Sequence, residues 1–260
     1  MVPGQVPGAL MISIFMPAYN VQKYLSNTVE RIPNGLWNQI SMLHIINDGS
    51  ADETASAANL LAQQNAKIRH HQFPVNQGYG AVVRFGIAEC LRDDSDVIVC
   101  LHGDGQYAPE LLPQMLETMD GYRLDLLQGS RLGGRGNGHG NSHGNGALAG
   151  GMPLYKWLAG QCLCSLENRV FNLRLTDYHS GFLLYRRRYL LKSGFENLKG
   201  HFEIDLELIA SAKARGFLVG EVAIPTRYAG EVSHLNPFDY GLRVLQVLWR
   251  YLRGKYAAKH

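Results

Sequence analysis

Five apolar residues, Val97-Ile98-Val99-Cys100-Leu101, lie between Asp96 and His102, and this run constrains the fold more than any other stretch of the chain. It is short and rich in β-branched residues, which predicts a strand buried on both faces in the middle of a parallel sheet. The chain then turns polar at once, with Gly103 and Gly105 framing Asp104 and with Gln106 two residues beyond it. In open α/β sheets ligands bind outside the carboxyl ends of the strands, where this turn falls. Asp104 and Gln106 offer oxygens to a hard divalent cation. A glycine-rich turn with a capping aspartate accounts for the same residues equally well.

Strand and helix signals alternate on either side of that run. Met11–Met16, Leu43–Ile46, Ile68–Phe73 and Leu124–Gln128 read as strands. Helices are predicted over Tyr24–Ile32, from Ser50 to near Asn65, from the Gly78-Tyr79-Gly80 turn to Cys90, and from Pro109 to near Met119. Ser50 and Glu53 have capping-box spacing. Later come a long helix over Pro153–Leu173, a strand at Phe182–Tyr185, a short helix, a helix entered at His201–Asp205 and running to Arg215, and a last strand at Phe217–Val222. Such alternation at short spacing predicts an α/β fold with a doubly wound, mainly parallel sheet. It breaks at Gly133–Gly151, where Gly, Asn and His dominate and no core can be buried; a mobile lid is expected there. Gly144–Ala149 matches a loose dinucleotide fingerprint but lacks a preceding strand. His139 and His143 share no fixed face in a glycine loop.

With 260 residues, 46% of them hydrophobic, the chain can bury one large core. Its formal charge of +3 is too small to argue for nucleic acid. Cys90, Cys100, Cys162 and Cys164 sit in apolar runs without metal-ligand spacing, as expected of reduced, buried thiols in a cytoplasmic protein. Met1–Leu10 has no charged n-region, and no apolar run is long enough to span a bilayer. The expected organisation is a flexible tail over 1–10, a domain over 11–236, and a basic amphipathic helix and tail over 237–260. In that last segment Phe238, Leu242, Leu245, Trp249 and Leu252 form one helical stripe, and Arg243, Gln246, Arg250 and Arg253 another. This pattern suits an anionic membrane surface; a helix packed on the domain with solvated arginines is at least as good a reading.

Several short motifs follow one another in a telling order. They are Pro17-Ala18-Tyr19-Asn20, Asn47-Asp48-Gly49-Ser50-Ala51-Asp52-Glu53-Thr54, Asn76-Gln77-Gly78, His102-Gly103-Asp104-Gly105-Gln106 and Gly129-Ser130-Arg131. In this order they resemble family 2 glycosyltransferases, and within that family the dolichyl-phosphate or polyprenyl-phosphate mannosyltransferase group. Ser180-Gly181-Phe182, Arg227-Tyr228 and Ser233-His234-Leu235-Asn236 resemble its bacterial branch.

The resemblance implies a GT-A-type, Rossmann-like nucleotide-diphospho-sugar domain that uses Mn2+ or Mg2+. It assigns the metal to Asp104, Gln106 and His234. It surrounds the nucleotide-sugar, UDP- or GDP-linked, with Pro17, Tyr19, Asn20, Asp48, Gly78, His102, Gly103, Asp104, Arg131 and Arg227. The chain departs from the family pattern at His102, where the first carboxylate of an aspartate-any-aspartate motif is expected, and at Asn47, where an acidic residue is usual. Asp48 alone also reads as a turn residue, and Arg131 as a surface arginine.

The implied reaction is an inverting transfer of a sugar from the nucleotide-diphospho-sugar to an acceptor, either a polyprenyl phosphate or a cell-envelope glycan precursor. Catalysis is expected from Asp104 and Arg131, which would stabilise the leaving diphosphate. A lipid phosphate acceptor is already anionic; for a hydroxyl acceptor, Glu203 or Asp205 is the candidate base. Both also read as first-turn helix residues. The expected setting is the cytoplasm, peripheral at the cytosolic membrane face, with a homodimer compatible and no nucleic-acid partner. Two readings from other classes stand beside it: a catalytically weak sugar-nucleotide-binding protein, motivated by His102 and Asn47, and a nucleotidyltransferase. The latter needs a glycine-rich phosphate loop after the first strand, where Pro17-Ala18-Tyr19-Asn20 stands instead.

Overall fold

A computed structural model of the protein describes residues 10–131, 154–225 and 237–257. The glycine-rich stretch 133–151, the tail before Leu10, Arg227 and His234 lie outside the described residues. The strands are β1 (Ile12–Ala18), β2 (Ile40–Asn47), β3 (Ile68–Gln72), β4 (Val97–Cys100), β5 (Leu126–Ser130), β6 (Leu183–Arg186) and β7 (Val219–Ala223). They form one sheet in the order β3-β2-β1-β4-β6-β5-β7. All pairings are parallel except those of β6, which runs antiparallel between β4 and β5. Because β6 is reversed, the residues leading into it stand at the same edge as the residues leaving β1, β2, β4 and β5.

Eight α-helices connect the strands among the described residues: α1 (Leu25–Glu30), α2 (Thr54–Gln64), α3 (Tyr79–Cys90), α4 (Leu112–Gly121), α5 (Leu154–Phe171), α6 (Arg187–Ser193), α7 (Ile204–Ala214) and α8 (Pro237–Leu252). As expected of a strand covered on both faces, β4 is wholly buried. Its side chains alternate between two cores, as the pleat requires. Val97 and Val99 face a cluster with Leu25 and Val29 of α1 and Met115 of α4. Ile98 and Cys100 face a second cluster with Val83 of α3, Ile209 of α7 and Val247 of α8. At Gly86, α3 lies so close to β1 that a Cβ would come within 2.5 Å of the Phe15 ring.

Two local expectations are corrected, and the α8 stripe, left open between two readings, is located. The Ser50–Glu53 capping box does not form: the Ser50 hydroxyl donates to Asn47 Oδ1, and Asp52 Oδ1 accepts from Thr54 N instead. Cys90, Cys100 and Cys164 are buried, but Cys162 is exposed because it lies on the outward side of α5. Finally, α8 seats Val244, Val247 and Leu248 in the core, while Leu242, Leu245, Trp249 and Leu252 are exposed. Among the described side chains, the stripe picked out by sequence is therefore the face that does not pack.

Candidate active site

The carboxyl edge of the sheet is organised by side-chain oxygens that satisfy loop N–H groups. After β1, Asn20 adopts φ 53°, an αL conformation that asparagine tolerates, and its Oδ1 accepts from Ala51 N at 2.9 Å. Ser50 Oγ accepts in turn from Asn20 N, and Thr54 Oγ1 from Val21 N. The loops following β1 and β2 are thus tied to each other. Asn47 is buried and spends its amide on Gln72 Oε1 and Ser50. Asp48, also buried, accepts Gln77 N on Oδ1 at 2.6 Å and Gly78 N on Oδ2 at 2.9 Å. Its direct task is to fix the 76–78 loop, where Gly78 holds φ 84°. Tyr19 is half exposed at this edge.

Beyond β4, Gly103 N donates to Pro17 O, which holds the next turn against β1. Asp104 Oδ1 accepts Gln106 N at 3.0 Å, and Gly105 supplies the positive φ of 77° that the turn needs. Asp104 Oδ2 lies 3.9 Å from His102 Nδ1. The far edge of the His102 ring is fixed: Nε2 is 3.1 Å from the Tyr79 hydroxyl, and the ring meets Tyr79 and Tyr107 edge-on. The Tyr107 hydroxyl accepts from Gly181 N, tying the β4 turn to the loop entering β6. At Gly181 a Cβ would stand 2.4 Å from His102 Nε2, so only glycine fits beside this ring. That contact gives Ser180-Gly181-Phe182 a physical meaning.

After β5, Arg131 makes a two-pronged pair with Asp177, Nε to Oδ2 at 2.8 Å and Nη2 to Oδ1 at 3.3 Å, and also donates to His179 O. Burial alone would raise the Asp177 carboxyl, but the Arg131 guanidinium outweighs it and holds Asp177 below the usual carboxylate range. Glu203 stands at the N-cap position of α7 without a side-chain capping bond and lies 3.6 Å from Arg243 of α8. Asp205 is buried, and its Oδ2 accepts from the Tyr79 hydroxyl at 2.8 Å. Burial pushes its carboxyl up to about 7, although the Tyr79 bond acts in the opposite direction.

Turn chemistry pointed to Gly103, Asp104 and Gln106 and the family resemblance to Pro17, Asn20, Asp48 and Gly78, and the fold gathers them at one edge. Sequence reasoning missed Tyr79, Tyr107 and Asp177 and had Gly181 only as part of a motif without a role, although together they fix His102 and Arg131; the signals were Tyr79 between two glycines and Asp177 before the Ser-Gly-Phe run. Elsewhere, His44, His71, Glu89, Cys90 and Asp93 form two groups with metal-binding potential. They lie toward the other end of α3, and His44 already bonds both His71 and Asp93 at 2.9 Å.

Behind Arg131, Glu167 and His179 face each other across 3.3 Å without hydrogen-bond geometry. Burial, with the Asp177 charge, pushes Glu167 up to about 9. Burial, with the Arg131 charge, holds His179 down near 4. Native Glu167 therefore keeps a proton that the unfolded chain releases above about 4.5, so stability declines as pH rises toward 9. The His179 contribution is complete above its unfolded value, and that of Asp205 by about 7. Glu167→Gln is expected to remove the decline between about pH 7 and 9, a gain of roughly 1–3 kcal/mol at the alkaline end. Urea melts across that range check it; parallel curves for variant and parent would contradict the protonated state.

Residues 13–194 match the sequence family described as glycosyl transferase family 2. The chain is 25% identical over 234 residues to a UDP-N-acetylglucosamine–dolichyl-phosphate N-acetylglucosaminyltransferase of Methanococcus voltae, covering 84% of this chain and 86% of that protein. It is 28% identical over 215 residues to a polyprenol monophosphomannose synthase of Mycolicibacterium smegmatis, covering 81% and 75%. Its fold superimposes with a TM-score of 0.64 on glucosyl-3-phosphoglycerate synthase of Mycobacterium tuberculosis in complex with Mn2+, UDP and phosphoglyceric acid, at 15% identity over 97% of this chain and 80% of that one. The architecture is of the GT-A type. On the family match, this chain belongs to glycosyltransferase family 2 and is a nucleotide-sugar-using glycosyltransferase.

Proposed function

We propose that the enzyme moves a sugar, with inversion, from a UDP- or GDP-linked donor to a polyprenyl phosphate at a membrane surface. The observation that carries this reading is the meeting of Tyr19, Asp48, Asp104 and the Arg131–Asp177 pair at one carboxyl edge. One relative above is named for a dolichyl-phosphate acceptor and the other for a polyprenol monophosphomannose product, which supports a lipid-phosphate acceptor here. Half-exposed Tyr19 offers a platform for the base, and Asp48 keeps the adjoining 76–78 loop in shape. Asp104 and Gln106, with His234, would hold a divalent cation; Asp104 Oδ2 fits this task, facing a nitrogen rather than a loop N–H. When bound, the cation supplies Lewis-acid stabilisation of the leaving diphosphate. Arg131 adds a positive charge whose position Asp177 sets.

The acceptor assignment has its own support. Glu203 and Asp205, the candidate bases, are buried and engaged with Arg243 and Tyr79. An anionic lipid phosphate requires no base, so their engagement suits that acceptor better than a hydroxyl. No helix among the described residues is long and apolar enough to cross a membrane. The outward stripe of α8, Leu242, Leu245, Trp249 and Leu252, would instead rest on the surface, with Arg253 stacked 5.0 Å from the Trp249 ring.

A transfer assay with labelled UDP- and GDP-sugars, polyprenyl phosphate and Mn2+ in anionic vesicles tests both parts. The parent is expected to sediment with vesicles and glycosylate the lipid. Leu245→Asp/Trp249→Asp is expected to lose most sedimentation and lipid transfer while binding the nucleotide unchanged. Tight donor binding without turnover to any acceptor would favour the sugar-nucleotide-binding reading instead.

A further inference from the structure

We infer that His102 is itself a ligand of the catalytic cation, through Nδ1, so that this chain holds the ion with a nitrogen where its family pattern places a carboxylate. The inference rests on the proposed function above and deepens it. Its first support is a count of protons. The Tyr79 hydroxyl has one, and it is donated to Asp205 Oδ2 at 2.8 Å. With the hydroxyl donating to Asp205, the 3.1 Å contact from His102 Nε2 is matched by the Nε2–H tautomer, the tyrosine oxygen accepting. That leaves Nδ1 with its lone pair, 3.9 Å from Asp104 Oδ2. Asp104 Oδ1 is taken up by Gln106 N, so the oxygen facing Nδ1 is the one not committed to the turn.

The second support is the shell around the ring. A histidine that binds metal characteristically donates its other N–H to a fixed acceptor, which sets tautomer and orientation. Here Tyr79, backed by Asp205, performs that task, and Tyr79, Tyr107 and Gly181 leave the ring no room to turn. A mere filler at position 102 would need neither the buried carboxylate behind the tyrosine nor a neighbouring position closed to every Cβ. Imidazole is a good ligand for Mn2+ and a poor one for Mg2+, which favours oxygen. The consequence is a site biased toward Mn2+, and a substitution that relocates selectivity rather than weakening the enzyme.

The test uses the full chain with UDP and Mn2+, followed by electron spin-echo envelope modulation and calorimetry. The parent is expected to show two imidazole nitrogens coupled directly to Mn2+, His102 beside His234, with the coupling changing on 15N-histidine labelling and falling to that of one nitrogen in His102→Gln. Tyr79→Phe, which keeps the ring but removes its acceptor, is expected to weaken Mn2+ binding about tenfold. His102→Asp is expected to lower the preference for Mn2+ over Mg2+ by about tenfold or more. Nitrogen coupling that is undiminished in His102→Gln, or an unchanged Mn2+/Mg2+ preference in His102→Asp, overturns the assignment. If the parent shows Mn2+-dependent UDP binding with oxygen-only coordination, both imidazole ligands fall while the cation and the proposed function stand. If it shows no Mn2+-dependent UDP binding, the proposed function falls with it.

Discussion

Asp104→Ala is expected to cut sugar transfer by roughly 10²–10³-fold and to abolish the metal-dependent part of UDP binding, with the fold intact. The reason for so large a functional effect is position. Asp104 stands immediately beyond the central strand, and its Oδ2 is turned toward His102 Nδ1. The small effect on folding has an equally local reason. The side chain satisfies one N–H, that of Gln106, in a turn whose shape Gly105 and the Gly103–Pro17 bond already secure. The thermal midpoint should therefore shift little. Calorimetric titration of UDP with and without Mn2+, alongside kcat/KM, separates the two effects. An affinity that keeps its Mn2+ dependence in the variant would move the cation away from Asp104.

The second large effect concerns the scaffold behind the phosphates. Arg131→Ala is expected to destabilise the protein by about 3–5 kcal/mol, because it strands the buried Asp177 carboxylate without its counter-ion. The sign with pH follows from the pair. In the parent, Asp177 sits below its ordinary value because Arg131 outweighs burial, so its stabilisation is present above about 3.8 and is lost in acid. Without Arg131, burial prevails and the carboxyl moves upward. The deficit should therefore be greatest near neutrality and shrink as pH falls below about 4. Arg131→Lys keeps the charge but not the two-pronged geometry and should fall between the two. Denaturant melts over an acid-to-neutral series check this; a deficit independent of pH would mean that packing, not charge, is what Arg131 contributes.

Much of this organisation could be read before any coordinates. All seven strands were located, most plainly β4, which is covered on both faces and has no polar side to confuse the signal. Three features were not legible. Strand direction leaves no trace in periodicity, so the reversal of β6 was invisible although it brings Asp177–Gly181 to the active edge. The α8 sequence carries two apolar faces. Period alone cannot tell that Val244, Val247 and Leu248 pack while Leu242, Leu245, Trp249 and Leu252 do not. The clamp on His102 depends on Tyr79, Tyr107 and Gly181, which are distant in the chain and meet only after the sheet closes. Local polar chemistry was legible in kind but not in partner, as Ser50 shows by bonding Asn47 rather than capping α2.

Crystals of the enzyme grown with UDP and Mn2+, measured for anomalous scattering at the manganese edge, test the metal assignment most directly. The expected result is a single strong manganese peak in contact with Asp104 Oδ2 and the UDP diphosphate, beside the Arg131–Asp177 pair. A peak bound elsewhere, or UDP ordered at this edge with no metal against Asp104, would contradict it.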